Sequence, residues 1–290
     1  MADELYVLAA DHRWQWHDWC DARGRPRDII PDLKAIAVEG FLAARARSAD
    51  VRANGAILLD EQYSSALISA LRARAIAVAA PVEKAGVFPL EWTAEPFWAA
   101  LTGSMAKVLV RYRPDYPPSR VEAEQQALRE LSDWCRHQAC PWMLEVVVPT
   151  EGQEEEEEFA REVRPAAVAR YIAQAYDRGI QPDYWKMEGT TSVEGARLVD
   201  EAVQRVRGPA FLVLGKAAPL DTIERWFRAA HTMKTAAGFA IGRSIYWDPA
   251  GRFALGEISR TDAIGMVAET YLTTIDLWQT SARTRAATAT

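Results

Sequence analysis

The segment from Met143 to Met187 opens on the apolar run MLEVVV (143–148), passes through an amphipathic stretch from Val163 to Tyr176, and returns to a second short run, YWKM (184–187). Neither run alternates apolar with polar residues, which suits strands covered on both faces, as in a parallel sheet. The stretch between them spaces its apolar residues at the helical period. A parallel strand pair joined by a crossover helix is the unit this pattern predicts. Working outward, runs of the same kind recur at Leu5–Ala10, Ala56–Leu59, Ile76–Ala80, Ala106–Val110, Ala210–Leu214 and Gly238–Ile241, which brings the number to eight. Further amphipathic stretches lie at Leu33–Arg47, Glu122–Arg136, Val193–Val206 and Leu220–Thr235, with a last helix at Thr261–Trp278. Eight strand–helix units in 290 residues predict an α/β chain forming a single (β/α)8 TIM barrel over residues 1–282, a fold that typically takes ~250 residues plus insertions. The Ala/Thr-rich tail, 283–290, is expected to be disordered. An open doubly wound sheet is the alternative, but no GxGxxG follows the first run and there is no P-loop.

Composition narrows the function classes. The chain is 49% hydrophobic and 10% aromatic, enough apolar material for a large core. Its formal charge is -6, with no clustered basic field of the kind a polyanion-binding surface needs, so nucleic acid is not an expected partner. The longest apolar stretches, such as Ala75–Val82, fall well short of the roughly 20 residues that span a bilayer, so no membrane partner is expected either. The N-terminus MADELYVLAADH lacks the basic and apolar regions of a secretory signal, and the expected location is cytoplasmic. Cys20, Cys135 and Cys140 are too few and too irregularly spaced for a disulfide framework and are read as reduced thiols. The acidic run EGQEEEEE (151–158) is read as a solvated loop leading into a helix, its acids favourably near that helix N-terminus. Homo-oligomerisation is left open.

The basic residues carry a second signal. Only six of the 34 are lysine: Lys34, Lys84, Lys107, Lys186, Lys216 and Lys234. A chain that uses arginine as its ordinary solvated cation needs a reason to place lysine in an apolar strand, and an amine that burial can neutralise is one. Lys107, Lys186 and Lys216 qualify.

Barrel enzymes build their sites at the C-terminal ends of the strands. Here the first strand ends in Asp11-His12-Arg13, the second in Asp60-Glu61, and the third leads to Glu83 and Lys84. The fourth carries Lys107 and Arg111, the fifth Glu145, the sixth Lys186 and Glu188. The seventh ends in Gly215-Lys216 and the eighth in Gly242-Arg243-Ser244. Four histidines without HxH or HExxH give a zinc site little support, so no metal or other cofactor is expected, though Asp11, Asp60 and Glu145 form a weaker magnesium alternative. There is no GxSxG elbow for a nucleophilic serine.

Amine chemistry remains. In DYWKMEG (183–189) an aromatic, apolar strand would strip water from the Lys186 ammonium and, with Lys107 near, favour the neutral amine, which attacks ketones to form a Schiff base. The plain structural reading, weighted equally, is a strand-end lysine paired with Glu145 or Glu188. Lys107 is read as a cation for substrate oxygens or as an ion-pair partner, and Glu145 as a proton shuttle or as the partner of a lysine. Gly242-Arg243 after the eighth run fits a phosphate site, since barrels often bind phosphate at the ends of strands seven and eight. Asp11-His12-Arg13 offers an acid/base and an anion contact, or an internal Asp–Arg bridge.

The motifs VLAADHR, AKVLVRY, MLEVVVP, PDYWKMEG, FLVLG and GFAIGRSIYWD, in this order, resemble the class I aldolase-like domain fused behind the kinase of bacterial inositol catabolism, itself related to the tagatose-bisphosphate aldolases. The resemblance runs from about Leu5 to Trp278 and implies a cofactor-free (β/α)8 lyase that cleaves 2-deoxy-5-keto-gluconate 6-phosphate, a small phosphorylated sugar, into dihydroxyacetone phosphate and malonate semialdehyde. It implies Lys186 as the Schiff-base lysine, Lys107, Glu145 and Asp11 as its catalytic companions, and Gly242 and Arg243 as the phosphate site. Lys216, His12, Arg13 and Glu188 complete the expected binding set. Lys216 departs from the pattern, since a small or acidic residue is expected there. A non-catalytic sugar-phosphate-binding barrel and a magnesium-dependent lyase or isomerase are the alternatives.

Overall fold

The computed structural model describes residues 4–88, 90–93, 105–152 and 156–288, with side chains described for all of these except 156 and 283–288. Eight parallel strands close in sequence order into a barrel: β1 (Leu5–Ala10), β2 (Gly55–Leu59), β3 (Val78–Pro81), β4 (Met105–Arg111), β5 (Trp142–Val147), β6 (Tyr184–Glu188), β7 (Ala210–Leu214) and β8 (Ala236–Ile241). The ring is sealed by β1 against β8, with Leu5 opposite Gly238 and Leu8 opposite Ile241.

The continuous apolar runs split between two layers. In β1, Tyr6, Leu8 and Ala10 pack outward with the helices, while Val7 and Ala9 join Ala56, Leu58, Ala79, Met143, Ala210, Leu212 and Ala240 inside the barrel. Side chains alternate faces along a strand, so a buried parallel strand must be apolar at both parities. The inner layer is rich in alanine, which leaves room further up the barrel for long side chains. Carrying the inner parity to the strand ends leads from Ala9 to Asp11, from Met143 to Glu145, from Met105 through Lys107 and Leu109 to Arg111, and from Tyr184 through Lys186 to Glu188.

The helices are α1 (Trp14–Asp21), α2 (Ile30–Arg47), α3 (Ala49–Asn54), α4 (Glu61–Arg72), α5 (Pro118–His137), the single turn α6 (Glu156–Glu158), α7 (Arg164–Asp177), α8 (Val193–Val203), α9 (Leu220–Ala230), α10 (Arg243–Ala254) and α11 (Arg260–Thr288). A π-turn, Phe159–Val163, joins α6 to α7. Sharply amphipathic α9 shows why these segments settle on the barrel, since Ile223, Trp226, Phe227 and Ala230 all face inward and are buried. Full burial of each large apolar chain stabilises by about 1.5–3 kcal/mol.

Several boundaries differ from the sequence reading. The third strand begins at Val78, not Ile76, because Ala75 takes a left-handed turn (φ 53°) and Ile76 N–H closes back on Leu71 O of α4. The helix expected to reach Thr235 stops at Ala230, because the Asp200 carboxylate accepts the backbone N–H groups of Lys234 (3.0 Å) and Thr235 (3.0 Å) and leads the chain into β8. The neighbouring helix ends at Val203, short of Val206. The last helix extends past Trp278 to Thr288, and the side chains of the expected tail, 283–290, lie outside the described residues. In the acidic run, Glu157 and Glu158 are exposed on α6, while 153–155 lie outside the described residues. All three cysteines are free thiols. Among the described residues no helix is long and apolar enough to cross a membrane.

Candidate active site

The C-terminal ends of the strands surround a cavity of about 300 Å³. The residues expected for the Schiff-base and phosphate site all line it: Asp11, His12 and Arg13 after β1, Lys107 on β4, Glu145 on β5, Lys186 and Glu188 on β6, Lys216 after β7, and Gly242 and Arg243 after β8. For Asp11, Lys107, Glu145, Lys186 and Glu188 the convergence follows from the inner parity described above. Lys107 on β4 and Lys186 on β6 flank Glu145, whose backbone pairs in register with both neighbouring strands.

At the centre lies a buried ion cluster. Lys107 Nζ is 3.0 Å from Asp11 Oδ2, 3.0 Å from Glu145 Oε2 and 3.3 Å from Glu83 Oε1. Lys186 Nζ donates to the same Glu145 oxygen at 2.9 Å. Burial alone would raise the Asp11 and Glu145 carboxyls, but the charges of Lys107 and Lys186 outweigh it, holding Glu145 below its ordinary value and Asp11 well below. Burial opposes the charge on Lys107 too, and its ring of carboxylates overcomes that, so its ammonium is held above the ordinary lysine value. Glu83 is raised, because burial there exceeds the pull of Lys107 and Arg13. The centre therefore holds one permanently charged lysine, two committed carboxylates, and a second amine in contact with one of them.

On the β6–β8 side, Glu188 Oε2 bridges Lys216 Nζ (3.0 Å) and Arg164 (3.2 Å), the latter reaching in from α7. Lys216 and Ala217 are consecutive left-handed residues (φ 45° and 62°) that fold the β7 loop over the mouth. The Ser244 hydroxyl donates to Ala218 O at 2.7 Å and ties that loop to the first turn of α10. Gly242 makes this approach possible, since a Cβ there would lie 1.8 Å from the Ala9 carbonyl oxygen. The result is a helix start, with its unpaired N–H groups, set beside the Arg243 side chain. His12 Nδ1 contacts the Tyr246 hydroxyl at 3.2 Å, and burial holds the imidazole well below its ordinary value, so it is neutral near pH 7.

Some expectations are corrected here. Asp60 does not reach the cavity. It is wholly buried under β2, paired with Lys34 at 2.7 Å, and its other oxygen caps α4 by accepting from Tyr63 N. Lys34 also donates to the carbonyls of Ala10 and His12, so Lys34 and Asp60 brace the first loop. The carboxylate triad weighed for magnesium is therefore not assembled, and the Lys107 ammonium sits between the two members that do meet. The Asp–Arg bridge within residues 11–13 is not formed either: Asp11 turns to Lys107, and Arg13 to Glu83, donating to its carbonyl at 3.1 Å. The plain reading of Lys186 as an ion-pair partner of Glu145 describes the geometry, which also leaves its amine on the cavity wall.

Sequence reasoning placed Glu83 and Arg111 at strand ends and assigned neither a role. Glu83 completes the cluster around Lys107, and Arg111 lines the cavity rim. Both continue an inward parity, Ala79–Pro81–Glu83 and Lys107–Leu109–Arg111, which was the signal available. Arg164 and Tyr246 come from helices, where strand parity says nothing.

A search of solved structures finds the fold in a fructose-bisphosphate aldolase from Plasmodium falciparum crystallised with TRAP and a small-molecule inhibitor (TM-score 0.68, 12% identity, 97% of this chain and 90% of that one). It is also found in Cgl0159 from Corynebacterium glutamicum (TM-score 0.56, 18% identity, 93% and 86%) and in an archaeal fructose 1,6-bisphosphate aldolase (TM-score 0.55, 14% identity, 92% and 93%). No curated protein matches in sequence. One family model matches residues 1–282, and the chain belongs to that family, described as "Uncharacterized protein conserved in bacteria (DUF2090)".

Proposed function

We propose that this protein is a Schiff-base aldolase acting in the cytoplasm on a keto-sugar phosphate, by resemblance 2-deoxy-5-keto-gluconate 6-phosphate. The observation that carries the reading is the Lys186 amine, set on the cavity wall with the Glu145 carboxylate 2.9 Å away. A nucleophile and a base in contact, inside a closed barrel mouth, form the minimal unit for carbonyl chemistry. Two of the fold neighbours are fructose-bisphosphate aldolases, which agrees with it.

In this mechanism Glu145, kept ionised by Lys107, accepts a proton from Lys186. The free amine adds to the substrate ketone, Glu145 returns its proton to the carbinolamine hydroxyl, and loss of water leaves an iminium with Glu145 ionised again. Glu145, with Asp11 or Glu188 as alternates, then takes the proton of the hydroxyl two carbons away. The carbon–carbon bond breaks, its electron pair moves into the iminium, and an aldehyde departs. The remaining enamine takes a proton at carbon, and water hydrolyses the new iminium to release the ketone phosphate and Lys186. Arg243 and the α10 N-terminus hold the phosphate throughout.

Borohydride reduction in the presence of dihydroxyacetone phosphate tests this directly. The wild type should acquire a covalent adduct, read by mass spectrometry, that is absent in Lys186→Ala. No adduct on the wild type, or an undiminished one on the variant, refutes the mechanism. Binding without any adduct would instead support a non-catalytic sugar-phosphate-binding barrel.

A further inference from the structure

The charges around the cavity do not cancel evenly. Lys107, Lys186, Lys216, Arg13 and Lys84 each have a carboxylate partner within 4 Å. Arg243 and Arg111 also line the cavity, and among the described residues no carboxylate pairs with either. They stand on opposite walls, because β4 and β8 are four strands apart in either direction around a ring of eight. Lys186, on β6, lies midway between them. Arg111 is exposed at the rim, two steps of the inner parity above Lys107, and its guanidinium carbon lies over the ring of Phe88, 4.7 Å from the centroid; Phe88 also lines the cavity. The attraction between cation and ring face holds the guanidinium at that wall.

We propose that Arg111 is a specificity-determining residue that binds a second anionic group, a carboxylate, at the end of the substrate remote from the phosphate. The inference rests on the aldolase reading above and adds to it the residue that holds the far end of the substrate, with the reacting carbonyl over Lys186 in the middle. The carboxylate then belongs to the aldehyde fragment, and Arg111 contributes to recognising that fragment and not to the bond-breaking step.

The probes are two six-carbon chains that differ at one end, 6-phosphogluconate and glucitol 6-phosphate, titrated calorimetrically against the wild type, Arg111→Gln and Arg243→Gln. A charge-assisted hydrogen bond of ordinary strength predicts that the wild type binds 6-phosphogluconate roughly tenfold more tightly or better. Arg111→Gln should erase that preference while leaving glucitol 6-phosphate binding unchanged, and Arg243→Gln should weaken both ligands. Equal binding of the two ligands by the wild type, no binding of either, or a preference that survives Arg111→Gln overturns the proposal. The borohydride adduct with dihydroxyacetone phosphate, which has no second anion, should be undiminished in Arg111→Gln. A wild type that forms the adduct but shows no preference for 6-phosphogluconate, or a preference that persists in Arg111→Gln, refutes the Arg111 assignment alone, whereas absence of the adduct in the wild type refutes the aldolase reading.

Discussion

Replacing Lys107 with methionine keeps the length of the side chain and removes the charge on which three buried carboxylates converge. Asp11 and Glu145 lie 3.0 Å from the ammonium and Glu83 3.3 Å, all three nearly inaccessible to solvent. Each attraction is on the order of 5 kcal/mol at an effective dielectric of about 20, and is largely offset by the desolvation of the charges. The net cost of breaking such a buried pair from one side is about 3–5 kcal/mol. For a chain of 290 residues, that corresponds to a melting temperature lower by about 5–8 °C. Glu145 keeps Lys186 and Glu83 keeps Arg13, but Asp11 loses its cation, so the loss depends on pH in a definite direction. In the wild type the lowered acids stabilise the fold above their unfolded value of about 4, and that contribution disappears as pH falls through their folded values. In Lys107→Met the stranded Asp11 carboxyl is raised, so the unfolded state releases that proton first and the variant loses stability as pH rises above about 4. Calorimetric scans at pH 7 and pH 4.5 should therefore show a gap between wild type and variant that narrows on acidification. A gap of equal size at both pH values would mean that only packing was lost and would refute the electrostatic account of the cluster.

Two further outcomes follow from single residues. In Gly242→Ala the new methyl must move more than an ångström from the Ala9 oxygen, displacing Arg243. The expected result is a folded protein destabilised by about 1–3 kcal/mol, with its dihydroxyacetone phosphate adduct yield at limiting ligand down on the order of 100-fold. The Glu124 carboxyl on α5 is buried with Oε2 lacking a hydrogen-bond partner among the described residues, and burial pushes it up to about 7. The unfolded state thus loses this proton first as pH rises from about 4.5 to 7, so wild-type stability falls across that window. Glu124→Gln should flatten the fall and be more stable by up to about 3 kcal/mol at pH 8, measured by denaturant unfolding.

The barrel was legible because its strands advertise themselves twice. Runs such as AFLVL are apolar at both parities, and each lies at a regular distance from a helical stretch. The boundaries that slipped are those decided from outside the segment, as where Asp200 captures the N–H groups of Lys234 and Thr235. Scarcity of lysine singled out Lys107 and Lys186, since an amine in a strand of otherwise apolar residues has few structural reasons to exist. The same argument passed over Lys34, which is wholly buried and paired with Asp60, because it sits on a helix, where one lysine in a mixed pattern looks ordinary. Asp60 was misplaced for a related reason: position at a strand end does not distinguish a residue that enters the cavity from one that caps the next helix. Arg111 was legible by parity but had no visible role until the neighbouring charges could be seen to cancel.

The seam between β1 and β8 has a consequence for how the molecule assembles. Tyr271 on α11 bonds the Tyr6 carbonyl, Gly242 packs on Ala9, and β1 pairs with β8, all contacts between residues more than 200 positions apart. Closing loops of that length is slow and entropically demanding, so these contacts form late. Asp11 and Arg243 lie on the two sides of that closure. A partly folded chain thus has the lysines but not the enclosure, and under the proposed assignment of Arg243 to the substrate phosphate, anion binding there would report that the ring has shut.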